Sequence, residues 1–224
     1  VTTTQRKIFR HNLVPEIKMM DTIIDGKRYY FLPNGEKYKS VTTILGERTD
    51  KTSLIQWRKR IGEEQANKIT TQAARRGTAI HNMAERYVLN EEKYILEKDM
   101  PVNIQTFESI KPILNKYVDN IYGIELPLYS SILQTAGRSD LIATFDDTLS
   151  IIDFKTSTKL KKEEWIQNYF IQATCYSLMF EELYRIQVPQ LAIIISVDNE
   201  EPQVFVKPTK KFYKEVKQIF VDMA

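Results

Sequence analysis

The stretch GRSDLIATFDDTLSIIDFKTS, residues 137–157, constrains the fold more than any other part of the chain. Two runs rich in apolar and β-branched residues, 135–145 and 149–154, flank Asp146, Asp147 and Thr148, the composition of two strands joined by a hairpin turn. Side chains alternate across a strand, so Asp153 and Lys155 leave one face while Phe154 leaves the other. A hairpin would also carry Asp140, on the first strand, toward that pair. After Leu149, Ile151 and Ile152, a carboxylate and an ammonium facing a dry interior are costly unless paired or metal-bound.

The rest of the chain supplies partners for this hairpin. Residues 29–45 combine an aromatic-rich run, the turn residues Pro33, Asn34 and Gly35, and a β-branched run, which predicts a further hairpin. From 53 to about 70 the apolar spacing is loosely helical, and Gly62 predicts a bend. In 72–89, Ala73, Ala74, Ile80, Met83, Ala84, Tyr87 and Val88 outline a buried helical stripe that includes the position of His81. A polar connection, 90–101, precedes a helix marked by Phe107, Ile110, Ile113, Leu114, Tyr117 and Val118, with Gly123 ending the helical part. A strand is expected at 124–129. Residues 162–184 read as a long helix with Trp165 on its apolar face, 191–197 and 203–206 as strands, and 212–220 as a terminal helix. This order predicts an α/β fold, a mixed sheet flanked by helices.

Composition removes several alternatives. At 224 residues and 42% apolar the chain is long and apolar enough to bury a core as one domain. One cysteine, Cys175, permits neither an intrachain disulfide nor a four-cysteine zinc or iron–sulfur site. No run approaches the roughly 20 apolar residues of a membrane span, and the opening VTTTQRKIFRHNL lacks the apolar centre of a signal peptide. The first residue is Val, which leaves a processed or preceding targeting segment open.

The net charge of +3 identifies no partner unaided. Its distribution is more telling: Lys51, Arg58, Lys59, Arg60, Lys68, Arg75 and Arg76 face only Glu63 and Glu64 within residues 51–76, and five lysines crowd 207–217 beside Phe212 and Tyr213. Either run could bind phosphates, and either is equally explained as a solvated helix face.

Asp140 and Asp153 are hard oxygen donors suited to Mg²⁺ or Mn²⁺, and Lys155 could neutralise charge on a phosphate or hold a water. A structural ion pair or a charged edge strand explains D-x-K as well. Gln172 and Tyr176, four apart on a helix, could position a substrate, with Gln167 and Tyr169 as alternatives; a core tyrosine with a polar outlet is the structural account. His81 and Glu85 share a helix face, and Glu125 lies in the strand before Asp140. The H-x-x-x-E spacing is not the H-E-x-x-H of a zinc hydrolase. Cys175 reads as a small buried residue.

Taken together, YKSVTTIL (38–45), RRGTAIH (75–81), GRSD (137–140), IIDFKTS (151–157) and QATCY (172–176) resemble the PD-(D/E)XK nuclease superfamily. Within it, the chain particularly resembles RecB-like exonucleases, the mitochondrial genome maintenance exonuclease group and related phage exonucleases. No Pro precedes Asp140, and the second acid is Asp rather than Glu. The resemblance implies a restriction-endonuclease-like core at 123–224 with an N-terminal hairpin and helical cover at 1–122, together one nuclease domain. It implies active-site roles for His81, Asp140, Asp153, Lys155, Gln172 and Tyr176, with His81, Asp140 and Asp153 as metal ligands and Glu85 or Glu125 as a further acid. DNA contacts are expected from Trp57, Arg58, Lys59, Arg60, Arg75, Arg76, Arg138, Thr156 and Ser157. The implied activity is Mg²⁺-dependent hydrolysis of DNA, with Mn²⁺ as a substitute and no iron–sulfur cluster, on single strands with a free end, in replication, repair or recombination. A monomer is expected, with replication or recombination proteins as partners, no membrane, and a place in the cytoplasm of a bacterium or phage-infected host or in the mitochondrial matrix. A structure-specific DNA or RNA endonuclease and a non-catalytic DNA-binding accessory protein are the alternatives. No P-loop is present, so the chain would supply a nuclease and no helicase.

Overall fold

The structure, a computed structural model, describes residues 6–222; the first five residues of the polar opening stretch lie outside it. The central hairpin forms. Strands β5 (Thr135–Phe145) and β6 (Thr148–Ser157) pair antiparallel from Leu141↔Ile152 to Phe145↔Thr148. Their turn is made by Asp146 and Asp147, at φ 50° and 61°. Aspartate tolerates this left-handed backbone, which matches the twist of the strands it joins.

Around the hairpin, β4 (Val118–Ser130) runs antiparallel to β5, β7 (Gln190–Val197) lies parallel to β6, and β8 (Gln203–Pro208) pairs antiparallel with β7. An N-terminal meander, β1 (Met20–Ile24), β2 (Lys27–Phe31) and β3 (Lys37–Ser40), joins the sheet by a short parallel pairing of β3 with Thr135 and Ala136. Among the described residues, six helices cover this eight-stranded sheet: α1 (Val41–Arg48), α2 (Thr52–Ile61), α3 (Glu63–Val88), α4 (Pro101–Tyr117), α5 (Gln167–Tyr184) and α6 (Tyr213–Phe220). The fold is α/β, a mixed sheet flanked by helices, as expected. None of these helices is long and apolar enough to cross a membrane.

The core has two main layers. On one face α3 and α4 pack over Leu141, Ala143, Ile152, Phe154 and Ile194. On the other, α1, α5 and α6 pack over Ile142, Ile151, Ile193 and Ile195. Each fully buried aliphatic side chain contributes roughly 1.5–3 kcal/mol, and the hairpin supplies such residues to both layers.

Several local expectations are corrected. The β-branched run at 41–45 is helix α1 rather than a strand, because the Ser40 hydroxyl accepts the Thr43 N–H at 3.0 Å as an N-cap and Val41 and Leu45 bury one face. The hairpin arm is Lys37–Ser40, and strand β1 was not anticipated although Asp25-Gly26 forms its turn. Gly62, at φ 85°, separates α2 from α3, which then runs unbroken through 70–72. Ala73 and Ala74 are exposed, since that part of α3 has left the core. Gly123 lies within β4, as helix α4 stops at Tyr117. Trp165 precedes α5 in a 3-10 turn and is 61% exposed beside Lys162.

One feature of the sheet creates space for a site. Strand β4 pairs with one edge of β5 along most of its length. The other edge is divided, β3 taking Thr135 and Ala136 and β6 taking Leu141 to Phe145. Residues 137–140 therefore lie in a fork between β3 and β6. The faces also exchange here: Ile121 and Ile124 of β4 pack under α3 and α4, whereas Leu126 and Leu128 pack under α5. Glu125, at φ 44°, sits at the exchange.

Candidate active site

The fork gathers side chains from both faces of the sheet. Continued one step past Leu141↔Ile152, the β5–β6 register sets Asp140 opposite Asp153. Asp140 Oδ2 accepts the Phe154 N–H at 2.8 Å, satisfying a backbone donor that the splayed ladder leaves free. Its Oδ1 lies 3.5 Å from His81 Nδ1, and Glu125 Oε1 lies 3.6 Å from the same nitrogen.

The orientation of His81 has a definite chemical consequence. Its Nε2 is 3.0 Å from the Phe154 carbonyl oxygen, which can only accept, so Nε2 carries the hydrogen. In the neutral ring Nδ1 then offers its lone pair toward the two carboxylates, the arrangement of a ligand imidazole held by a backbone carbonyl. One donor atom from each of His81, Glu125 and Asp140 falls within 4.8 Å of the others.

Asp153 and Lys155 enter from the α5 side. Asp153 is 1% exposed, its Oδ2 is ion-paired with the Lys155 ammonium, and its Oδ1 is buried without a hydrogen-bond partner. Lys155 Nζ also stands 5.1 Å over the Tyr169 ring. On α5, Gln172 Nε2 donates to the Tyr176 hydroxyl at 3.3 Å. The Tyr176 ring fills the fork above Gly137, where an added Cβ would meet ring atom Cε1 at 2.6 Å.

Burial, followed by the nearby Asp153, raises the Asp140 carboxyl to about 7, against the opposing pull of His81, Lys155 and the Phe154 N–H. For His81 burial is the largest influence and lowers its pKa, yet Glu125, Asp140 and Asp153 outweigh it and carry the imidazole to about 9. Burial likewise works against a charged Lys155, but Asp153 and Asp140 hold the ammonium above its ordinary value. Burial pushes the Tyr176 phenol well up, so it stays neutral. Glu85 is raised by burial and by Glu125.

A hard divalent cation fits this donor set: two carboxylates and one imidazole converge, and the Oδ1 of the neighbouring Asp153 is buried without a partner. His81, Glu125 and Asp140 form the compact group. Asp153, expected as a ligand beside Asp140, is not a member of it; it is ion-paired with Lys155, yet stands close enough to Asp140 to raise its carboxyl. Glu85 lines an adjoining cavity.

The expected DNA contacts are more dispersed. Lys59, Arg60 and Arg75 are exposed on α2 and α3, Trp57 is half-buried, and Arg58 is held by Glu63 and Asn67. Arg76 is ion-paired with Asp198, and the Ser157 hydroxyl is engaged by the Lys159 backbone. Thr156 is half-buried near the end of β6, and Arg138 is exposed beside the fork. Sequence reasoning missed the Phe154 backbone groups, which no residue type announces, and Arg28, whose place follows from the unanticipated β1–β2 ribbon. Cys175 is buried, and burial raises its thiol, in keeping with a structural role.

Comparison with known proteins bears on the family of the fold. The model of the PD-(D/E)XK nuclease superfamily matches residues 106–224, which include Glu125, Asp140, Asp153, Lys155, Gln172 and Tyr176 and exclude His81. No curated protein matches the chain. Among solved structures, the crystal structure of a "putative exonuclease" from Eubacterium rectale is similar at 13% identity and a TM-score of 0.46, over 66% of this chain. The match spans 65% of that protein's length. With the family match extending over more than half its length, the chain belongs to the PD-(D/E)XK nuclease superfamily.

Proposed function

We propose that this chain is a divalent-metal-dependent DNA exonuclease of the RecB-like, cluster-free kind, hydrolysing phosphodiester bonds of single strands from a free end. The observation that carries this reading is the meeting of His81, Glu125 and Asp140 with the Asp153–Lys155 pair in the fork. A divalent ion bound by His81, Glu125 and Asp140, with Asp153 beside them, would polarise the phosphodiester and lower the pKa of an attacking water. The chain's own groups do the rest. Lys155, kept cationic between two carboxylates, neutralises charge gathering on the phosphate, while Asp153 and Tyr169 hold its ammonium in place. Gln172 and Tyr176 orient the strand through an amide and a neutral phenol, and the carbonyl of Phe154 keeps the His81 lone pair on the site side.

The strand preference draws on α2 and α3. Helix α2 buries no residue, and between Glu63 and Ala79 only Ala66 is buried. This helical pair carries exposed Lys59, Arg60, Lys68 and Arg75 together with Leu54, Ile55 and the half-buried Trp57. Such a surface suits phosphate attraction and base stacking without sequence readout.

The test is hydrolysis of end-labelled single-stranded DNA with Mg²⁺, Mn²⁺ or EDTA, using wild type and folded Asp153→Ala and Lys155→Ala proteins. Cleavage should require the ion and fall by at least about a hundredfold in each variant, the scale of losing an electrostatic catalytic group. Undiminished cleavage in both variants would overturn the proposal. Circular, 5′-blocked and 3′-blocked substrates separate exonuclease from endonuclease action and report polarity.

A further inference from the structure

Helix α3 is anchored at one end. From Ile80 onward it buries Ile80, Met83, Ala84, Tyr87 and Val88, which fixes the turn that carries His81. Upstream only Ala66 is buried, every residue from Asn67 to Arg75 is exposed, and α2 buries none. At about 1.5 Å per residue, the stretch from His81 back to Glu63 reaches about 27 Å from the site. Within this arm, α2 and the first part of α3 are joined by Arg58, which holds Glu63 and Asn67. Among the described residues, the arm has a single hydrogen-bonded or ionic tie to the sheet and α4, made by Arg76. Its guanidinium forms an ion pair with Asp198, in the β7–β8 turn, and donates to Thr106 Oγ1 of α4 at 3.4 Å.

Two observations mark Arg76 as a fastening rather than a phosphate contact. The side chain is 18% exposed and its Nε is buried without a partner, so the guanidinium is held against the body of the protein. A cavity of about 620 Å³ beside it is lined by Arg76 with Asp198, Glu200 and Glu201, three carboxylates to one arginine, a wall that repels phosphate. The next residue is Gly77, where an added Cβ would meet nothing within 4 Å, so space does not require glycine there. Glycine weakens a helix interior, which makes this the place for the arm to bend once the ion pair opens.

We propose, resting on the nuclease reading above, that the Arg76–Asp198 pair is a latch that sets the angle of this arm to the active site. Closed, it lets the exposed Lys59, Arg60, Lys68 and Arg75 hold the same strand that reaches the metal ligands. Open, the arm bends at Gly77 and its share of the binding is lost. Arg76 is thus a positioning residue, acting through the arm and touching no substrate.

The experiment compares wild type, Arg76→Gln, Asp198→Asn and the double variant. For arm motion, each also carries Ser53→Cys, an exposed position on α2, labelled with a fluorophore while the buried Cys175 stays unlabelled. Time-resolved anisotropy without DNA should show a nanosecond component at least about twofold larger in every variant than in wild type. In the unlabelled proteins, affinity for a fluorescent single strand in EDTA should fall at least about fivefold in each single variant and no further in the double, as for one shared interaction. With Mg²⁺, KM should rise likewise and kcat stay within about twofold, because the Phe154 carbonyl and the buried turn at Ile80 still hold His81. A merely weakened fold would lower kcat as well. Tighter binding by Asp198→Asn, the result for an arginine that meets phosphate, overturns the latch. Additive losses, a fall in kcat as large as the rise in KM, or equal arm motion in all four proteins do the same. A freer arm in the variants with no cleavage by wild type in any metal overturns the nuclease reading and leaves the latch standing; cleavage with unchanged arm motion overturns the latch alone.

Discussion

Gly137→Ala tests whether the fork is built around the Tyr176 ring. Gly137 has no positive φ, so its need for glycine is one of space. A Cβ there would lie 2.6 Å from Tyr176 Cε1, 2.9 Å from its hydroxyl oxygen and 3.1 Å from Cζ, all inside ordinary contact distance. Tyr176 is 3% exposed and bound to Gln172, so the ring has no simple route outward. Overpacking of this kind costs about 1–3 kcal/mol, while replacing glycine recovers about 0.4–1 kcal/mol through the unfolded chain. The expected net loss is about 1–2 kcal/mol, or about 2–8 °C in Tm for a domain of this size. Urea unfolding followed by circular dichroism reads the stability. Cleavage of labelled single strands should fall by about tenfold or more as Tyr176 and Gln172 leave their positions, the scale of a 1–2 kcal/mol misplacement. In a Tyr176→Leu background the same alanine should cost nothing or stabilise slightly, because the clash has no partner. An equal loss in both backgrounds, or no loss in either, would refute this account of the fork.

Three further outcomes follow from the site. Asp140 binds its proton more tightly folded than unfolded, so its contribution to stability is complete below about pH 4 and is lost as pH rises through about 7. A shift of about three units is worth on the order of 4 kcal/mol, so metal-free Asp140→Asn should abolish most of the wild-type fall in stability between about pH 4 and about pH 6, below the range in which His81 adds its own, measured by urea unfolding; an unchanged pH dependence contradicts the burial argument. Metal binding must release protons from Asp140, near 7, and His81, near 9, so Mn²⁺ affinity measured by calorimetry should rise by about tenfold or more per pH unit from pH 6 to 8, and a flat profile would count against these ligands. Tyr169→Leu should lower kcat by about fivefold to thirtyfold by releasing the Lys155 ammonium, and Tyr169→Phe should retain activity; equal effects of the two would exclude the ring as the support.

The sequence displayed the parts of this molecule whose signals are local. Alternating and continuous apolar runs located β5, β6 and β7, since a buried strand must be apolar on the faces it covers. What stayed hidden depends on long-range pairing or on single capping bonds. Ser40 capping turned a β-branched run into α1, and sharing of one β5 edge between β3 and β6 is a property of the sheet that no segment of residues encodes. The same applies to the candidate site. His81, Glu125, Asp140, Asp153 and Lys155 could be singled out as candidates, their roles implied by the resemblance, but the grouping of Glu125 with His81 and Asp140 depends on the exchange of faces in β4 beside it. Strand alternation put Asp153 and Lys155 on one face, and their ion pair is the one that spacing allows.

The central claim is that the fork holds a divalent cation through His81 Nδ1, Glu125 and Asp140. Crystals of the wild-type protein grown with Mn²⁺ and measured near the manganese absorption edge provide the direct test. The expected result is an anomalous peak within about 2.5 Å of those three side chains, absent from Asp140→Asn crystals. An empty fork at Mn²⁺ concentrations that support DNA cleavage, or a peak bound elsewhere on the protein, would contradict it.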